Sequence, residues 1–143
     1  MTIAQEPTST AQNTNHELVI AGISESVIVD YFETMNAGNY QATAALFAES
    51  GVMQPPFAEP IIGREAIANY LITEAKGMQL APQQGLSKIS ENAQIQIQVS
   101  GKVQTPVFGI NVSWIFILNP QQEIIFTKIK LLASPQELLN LRR

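Results

Sequence analysis

The stretch Lys102–Pro120, KVQTPVFGINVSWIFILNP, decides how this chain folds. It holds the only tryptophan, Trp114, in a run with almost no charge. Read as a strand, it alternates. Phe108, Ile110, Val112, Trp114, Phe116 and Leu118 share one face, all apolar, and Val107, Gly109, Asn111, Ser113, Ile115 and Ile117 share the other. Period-two alternation of β-branched and aromatic residues is a strand signal. An indole N–H taken out of water needs an acceptor. What Trp114 faces therefore bears directly on function.

Both neighbouring segments alternate as well. Upstream, Ala93–Val103 sets Ala93, Ile95, Ile97, Val99 and Val103 against Gln94, Gln96, Gln98, Ser100 and Lys102. Downstream, Asn119–Gln122 reads as a turn. Glu123–Leu132 then reads as a last strand, with Ile125, Thr127, Ile129 and Leu131 inward and Ile124, Phe126, Lys128, Lys130 and Leu132 outward. Met78–Pro82 reads as a short strand with Met78 and Leu80 on one face, and Gln83–Ser90 shows no pattern.

Three helices are expected before these strands. Ser24 is placed as the N-cap of the first, Ile23, Val27, Ile28, Tyr31, Phe32 and Met35 form its apolar stripe, and Gly38 ends it. Tyr40–Glu49 reads as the second helix. Glu65–Lys76 reads as the third, with Ile67, Tyr70, Leu71 and Ala75 inward. Between them Gly51–Gly63 is an extended piece broken by three prolines. Residues 1–16 are polar and read as an arm, and Ser134, Pro135 and Glu137 start a short final helix. The expected organisation is a flexible arm over 1–20 and a single domain over 21–143. Helices followed by strands argue an α+β fold. A curled mixed or antiparallel sheet packed against three helices would leave a cone-shaped pocket between them.

Composition narrows the chemistry. At 143 residues and 45% hydrophobic, the chain can bury a full core. Net charge is −4 and no basic cluster is present, which argues against nucleic acid. Cysteine is absent and the single histidine, His16, sits in a polar segment. Disulfides, thiolate catalysis and Cys- or His-based metal sites therefore lack their residues. No apolar run approaches a membrane span of about 18 residues, and no signal peptide is visible. The expectation is a soluble cytoplasmic protein. Acid–base catalysis needs a carboxylate or imidazole inside the pocket. Asp30, the only aspartate, lies off the helix stripe, and no inward strand position carries such a group. An enzyme is therefore not expected. The inward polar groups are the Tyr31 hydroxyl, the Trp114 N–H, the Thr127 hydroxyl and Gln54. On the residues alone, Tyr31 reads first as a core tyrosine and Trp114 as a core filler. Two donors converging on an apolar pocket would instead suit a largely apolar ligand with one carbonyl.

Four segments carry a resemblance: QATAALFAESG (41–51), MQPPFAEPIIGRE (53–65), GKVQTPVFG (101–109) and LLASPQELLNL (131–141). They closely resemble the C-terminal domain of the cyanobacterial orange carotenoid protein family, within the nuclear-transport-factor-2-like superfamily. The likeness runs from about Ser24 to the C-terminus, and the chain looks like a stand-alone homologue of that domain. The resemblance implies a ketocarotenoid, canthaxanthin or echinenone, held without a covalent bond. It implies that Tyr31 and Trp114 donate hydrogen bonds to the keto oxygen of one terminal ring. It places Pro56, Met78, Leu80, Ile110, Val112 and Ile129 on the tunnel wall. It implies a non-enzymatic carrier that takes up pigment, stores it, hands it to helical carotenoid proteins and contributes to photoprotection by quenching singlet oxygen. Transient membrane contact during uptake is a further expectation. The chain departs from its relatives at Val107, where they usually carry tryptophan, and in a shorter Gly109–Ile110 connection.

Size adds an expectation about assembly. A domain of this length has a radius of gyration of about 14–15 Å. A carotenoid is a rod about as long as the domain is wide, so one cone holds about half of it. The exposed apolar half favours a twofold dimer sharing one pigment. The amphipathic segment Pro135–Arg143 either packs on the sheet or covers the empty cone. The alternatives are an isomerase or hydratase of the same superfamily, or an interaction module that docks on helical carotenoid proteins.

Overall fold

The computed structural model describes residues 18–90 and 92–132. The expected arm over 1–16 and the expected final helix lie outside these residues. Among the described residues the elements run α1 (Ser26–Asn36), α2 (Tyr40–Ala45), β1 (Phe47–Gln54), β2 (Ile61–Ile62), α3 (Arg64–Glu74), β3 (Gln79–Ile89), β4 (Ile95–Gln104), β5 (Gly109–Leu118) and β6 (Ile124–Leu132). The six strands make one sheet in the order β2-β1-β6-β5-β4-β3. Every neighbouring pair is antiparallel except β1 and β6, which run parallel. A curled mixed sheet with helices on its inner face is the α+β cone that the alternation and the resemblance lead to.

β5 is the central wall. Its even positions are buried or half-buried from Ile110 to Leu118, as a pleated strand with one covered face requires. Trp114 stands opposite Val99 on β4 and Ile129 on β6, and Phe116 stands opposite Ile97 and Thr127. Helix α1 lies against this row. Its buried residues are Val27, Ile28, Val29, Tyr31, Phe32 and Met35, a stripe at helical spacing. Gly38 ends it with φ +73°, the left-handed conformation that a residue without Cβ adopts freely. Asn39 then caps α2, its side chain accepting from the Ala42 N–H at 3.3 Å.

The boundaries differ from the sequence reading in ways that tertiary pairing explains. Helix α2 stops at Ala45, and Phe47, expected on that helix, opens β1 instead. The β1 strand gains a parallel partner in β6, which outweighs the helical propensity of 40–49. The proline-broken piece contains the end of β1 and all of β2, joined by a loop, so strands interrupt the helices. Gln83–Ser90 does not wander: β3 is one strand of 11 residues, with a bulge between Pro82 and Gln84. Proline is tolerated because β3 is the sheet edge. Ser24 is not the cap of α1; Glu25 holds that position and makes no side-chain cap bond. Ala93 lies in the β3–β4 turn with φ 60° and not on the strand. Ile124, read as outward, is fully buried. A bulge between Ile117 and Leu118 on the β5–β6 ladder places Ile124 opposite Leu118 and skips Ile125, which resets the inward face.

Gly101 sits where β3 bends around its bulge. A Cβ there would strike the Ala81 carbonyl oxygen and lie 2.8 Å from Pro82 Cα, both backbone atoms that cannot swing away. Gly101→Ala should therefore destabilise the fold by about 2–3 kcal/mol, read as a lower urea midpoint. A stability change within about 0.5 kcal/mol would show that β3 can shift freely at this point.

Candidate functional site

Between the inner face of the sheet and helices α1 and α3 lies a cavity of about 290 Å³. Its lining comes from Tyr31 and Met35 on α1, Met53 on β1, Pro55 and Pro56 after it, and Tyr70, Leu71 and Glu74 on α3. Ala75, Met78, Leu80, Val103, Thr105, Phe108, Ile110, Val112, Trp114, Ile129 and Leu131 complete it. All eight residues singled out in the sequence (Tyr31, Pro56, Met78, Leu80, Ile110, Val112, Trp114 and Ile129) meet on this one cavity. Glu74, Phe108 and Leu131 are exposed and mark its mouth.

The inner end is built by aromatic packing. Phe32 meets Trp114 edge-on, ring centroids 4.8 Å apart at 85°, and meets Tyr31 at 5.2 Å and 82°. Tyr31 in turn meets Phe116 at 5.0 Å and 80°. Edge-to-face pairs of this kind contribute about 0.5–1.5 kcal/mol each beyond burial. They also fix both rings. Neither the Tyr31 hydroxyl nor the Trp114 indole N–H forms a hydrogen bond with any described residue. Burial pushes the Tyr31 hydroxyl's pKa up from its ordinary value near 10, which keeps it a neutral donor.

The wall opposite is held by Asn36. Its amide donates to the Leu80 carbonyl at 2.8 Å and accepts from the Leu80 N–H at 2.7 Å. One side chain thus closes the start of the β3 edge and fixes Leu80 against the cavity. The Tyr40 hydroxyl donates to the Ala75 carbonyl at 3.1 Å, tying α2 to the end of α3. At the mouth, burial and the negative charge of Glu74 raise the Tyr70 hydroxyl's pKa.

Two inward candidates do not reach the cavity. Gln54 turns its amide to the Pro55 and Ala58 carbonyls, at 3.2 and 2.6 Å, and braces the proline loop. Thr127 is fully buried between its register partners Phe116 and Met53, and its Oγ1 has no hydrogen-bond partner. The sequence reading did not assign Met53, Pro55, Val103 and Thr105, or Tyr70, Leu71, Glu74 and Ala75 from the α3 segment, to the pocket. Met53 was hidden in the proline-rich stretch, where no clean alternation marks a strand. Leu71 was read as inward on α3 without being assigned to the pocket. Glu74 sits at the end of α3 on its solvent edge, where no periodicity points to a pocket.

The site is an apolar cone with few polar groups, the form that small-molecule pockets commonly take. The family model of the nuclear transport factor 2 (NTF2) domain matches residues 23–129, and the chain belongs to that family. Within it, the chain is homologous to the C-terminal domain of the orange carotenoid protein. The orange carotenoid-binding protein of Limnospira maxima is 43% identical over 126 residues, covering 85% of this chain and 40% of that protein. The one from Synechocystis sp. (strain PCC 6803) is 39% identical over 141 residues, covering 96% and 44%. The structure of the Anabaena (Nostoc) sp. PCC 7120 orange carotenoid protein binding canthaxanthin aligns with a TM-score of 0.79 and 42% identity, covering 86% of this chain and 40% of that one. The chain spans about two fifths of the length of these relatives. The epoxide hydrolase/cyclase-like enzyme SalBIII, 18% identical with a TM-score of 0.58 over 74% of this chain and 88% of its own, shares the fold alone.

Two outcomes are expected from this geometry. Thr127→Val removes a hydroxyl buried without a partner and should raise stability by about 1–2 kcal/mol in urea unfolding; a loss of stability would mean that the hydroxyl is bonded. The raised Tyr31 pKa also makes stability depend on alkali. Below pH 10 both folded and unfolded forms keep the proton; above it only the unfolded chain releases it. Stability should therefore fall by about 1.4 kcal/mol per pH unit above pH 10 through this group. Tyr31→Phe should reduce the slope by this contribution and leave that of the partly buried Tyr70, and an unchanged slope would assign it to other groups.

Proposed function

We propose that the chain is a non-enzymatic ketocarotenoid carrier, taking up, storing and transferring the pigment and contributing to photoprotection by quenching singlet oxygen. The observation that carries this reading is the pair of donors, the Tyr31 hydroxyl and the Trp114 N–H, which have no hydrogen-bond partner among the described residues and stand on the lining of an otherwise apolar cavity. A keto oxygen has two lone pairs and can accept from both. Each such bond contributes only about 0.5–1.5 kcal/mol net. Binding strength comes from removing the polyene from water, at roughly 25 cal/mol per Å². Tyr31 and Trp114 then set register, ring orientation and colour more than affinity. The wall residues Pro56, Met78, Leu80, Ile110, Val112 and Ile129 supply the apolar contact. Canthaxanthin and echinenone both carry the required keto group.

At about 290 Å³ the cavity is at the low end of ligand pockets, which run from roughly 300 to 1,000 Å³. It suits one terminal ring and part of the polyene. A second copy gripping the other ring completes burial, which supports a homodimer sharing one pigment and favours a diketo carotenoid. Helical carotenoid proteins are the proposed donors or acceptors, a bilayer is the proposed reservoir of free pigment, and the cytoplasm is the proposed location. Proton-transfer catalysis would need an acid or base at the reacting atoms. The carboxylate among the described lining residues, Glu74, is exposed at the mouth instead.

Expression in a canthaxanthin-producing host should give a coloured protein that elutes as a dimer with one carotenoid per two chains. Tyr31→Phe and Trp114→Phe should each shift the visible band and lower pigment retention several-fold. A colourless wild-type protein would overturn the reading, and unchanged spectra and yield in both variants would remove these residues from the site.

A further inference from the structure

The outer face of the sheet carries a charge pattern that the pigment cavity does not use. The ladder registers arrange it in rows. Val52, Phe126, Ile117, Gln96 and Lys88 form one row across β1, β6, β5, β4 and β3. Gln54, Lys128, Ile115, Gln98 and Leu86 form the next. Beyond them come Lys130, Ser113, Ser100 and Gln84, then Leu132, Asn111, Lys102 and Ala81. Lys88, Lys102, Lys128 and Lys130 are all exposed, and no aspartate or glutamate stands in any of these rows. They are four of the eight basic residues in a chain of net charge −4. The described helices lie on the opposite, inner face, where α1 meets Trp114 and Phe116.

This basic wall runs into the mouth of the cavity. The β4–β5 hairpin turns there through Thr105, Pro106, Val107 and Phe108, held by the Thr105 hydroxyl, which accepts from the Phe108 N–H at 3.0 Å. Val107 is 85% exposed and Phe108 56% exposed, although Phe108 also lines the cavity. Lys102 stands three residues before Thr105, roughly 10 Å away along the strand. An exposed apolar tip backed by lysines, with no acid between them, matches a bilayer whose anionic headgroups overlie hydrocarbon.

We propose that the lysine face and the Val107–Phe108 tip form a docking surface for anionic lipid bilayers. Lys102 and Lys130, in the two rows nearest the mouth, rest on the headgroups, the tip enters the headgroup–acyl boundary, and the mouth opens against the membrane, while Lys128 and Lys88 stand farther from it along the strands. Charge complementarity selects an anionic partner, and the apolar tip beside an apolar cavity selects lipid over an acidic protein. This deepens the carrier reading, because it supplies the route by which an apolar pigment would reach the cavity without crossing water.

The test uses the full chain purified without pigment, and pigment-free vesicles, so it is independent of whether carotenoid binds. Co-sedimentation is measured with phosphatidylcholine vesicles and with phosphatidylcholine–phosphatidylglycerol vesicles. Wild type should bind the anionic vesicles and not the neutral ones, and raising salt towards 1 M should release it. Lys102→Gln and Lys130→Gln should each weaken binding about fivefold. Val107→Ser should weaken it about tenfold and leave the salt dependence in place. All three positions are exposed, and unchanged thermal melting confirms that the variants fold. Equal binding to neutral vesicles, no vesicle binding, or variants that bind like wild type would overturn the proposal. Absent vesicle binding with lysine-dependent capture of polyglutamate would also overturn it and assign the face to an acidic protein.

Discussion

The contact on which this molecule depends is Phe32 against Trp114, edge to face at 4.8 Å. It joins the first helix to the middle of the sheet. Phe32 also touches Tyr31, and Tyr31 touches Phe116, so one helix turn and two alternate strand positions become a single aromatic unit. The pleat of β5 makes this unavoidable: Trp114 and Phe116 are two residues apart and must share a face. Once α1 covers them, the remaining inward positions of β5, Val112 and Ile110, are left beyond the covered row, and a cavity opens beside them. The packed inner end of the cone and its hollow outer end are two parts of the same strand.

That strand was legible in the sequence because it has one covered face and one polar or mixed face, which gives alternation. The stripe of α1 was legible for the equivalent reason at helical period. What was not legible depended on partners distant in the chain. Phe47 looks helical from its alanine-rich neighbours, and becomes a strand residue because β6 offers a parallel ladder. Pro82 and Gly85 look like breakers, and are tolerated in β3 because it is an edge strand with a bulge. The face of Ile124 is set by one skipped residue, which no periodicity count can detect. The candidate site was more legible than the boundaries. Its eight residues lie on one cavity even though some of the elements carrying them were misplaced, because the inward face of an element survives an error at its ends.

The polar groups of the interior are distributed unevenly. Asn36 and Tyr40 are fully used in bracing the wall and the helix ends. Tyr31 and Trp114 are rigidly placed, and no described residue bonds to the hydroxyl of the one or the N–H of the other. Rigid placement matters because a donor held by ring packing loses little freedom when it meets an acceptor. Thr127 is a different case: it is unpartnered and also sealed from the cavity, so its hydroxyl lowers stability without offering a contact to a ligand. Under the proposed function, the cavity therefore reads a single carbonyl through two aromatic donors, and the rest of the ligand only through its shape.

An apolar cargo raises a problem that the cavity alone does not solve. Under the proposed function, the surface that takes a polyene must remain closed to water when empty and open to the source of the pigment when filling. The acidic balance of the whole chain would repel an anionic membrane, and a uniform distribution of charge would keep the mouth away from it. Segregation changes that. With four lysines on the outer wall and no carboxylate in its described rows, the proposed docking would draw on a charge asymmetry that orients the chain before contact, since fields act over about a Debye length, roughly 8 Å at physiological salt. The hairpin that ends in Val107 and Phe108 lies at the corner where this wall meets the mouth. Curling the sheet thus does two things at once: its concave side makes the apolar cone, and its convex side gathers the positive charge that can point the cone at lipid.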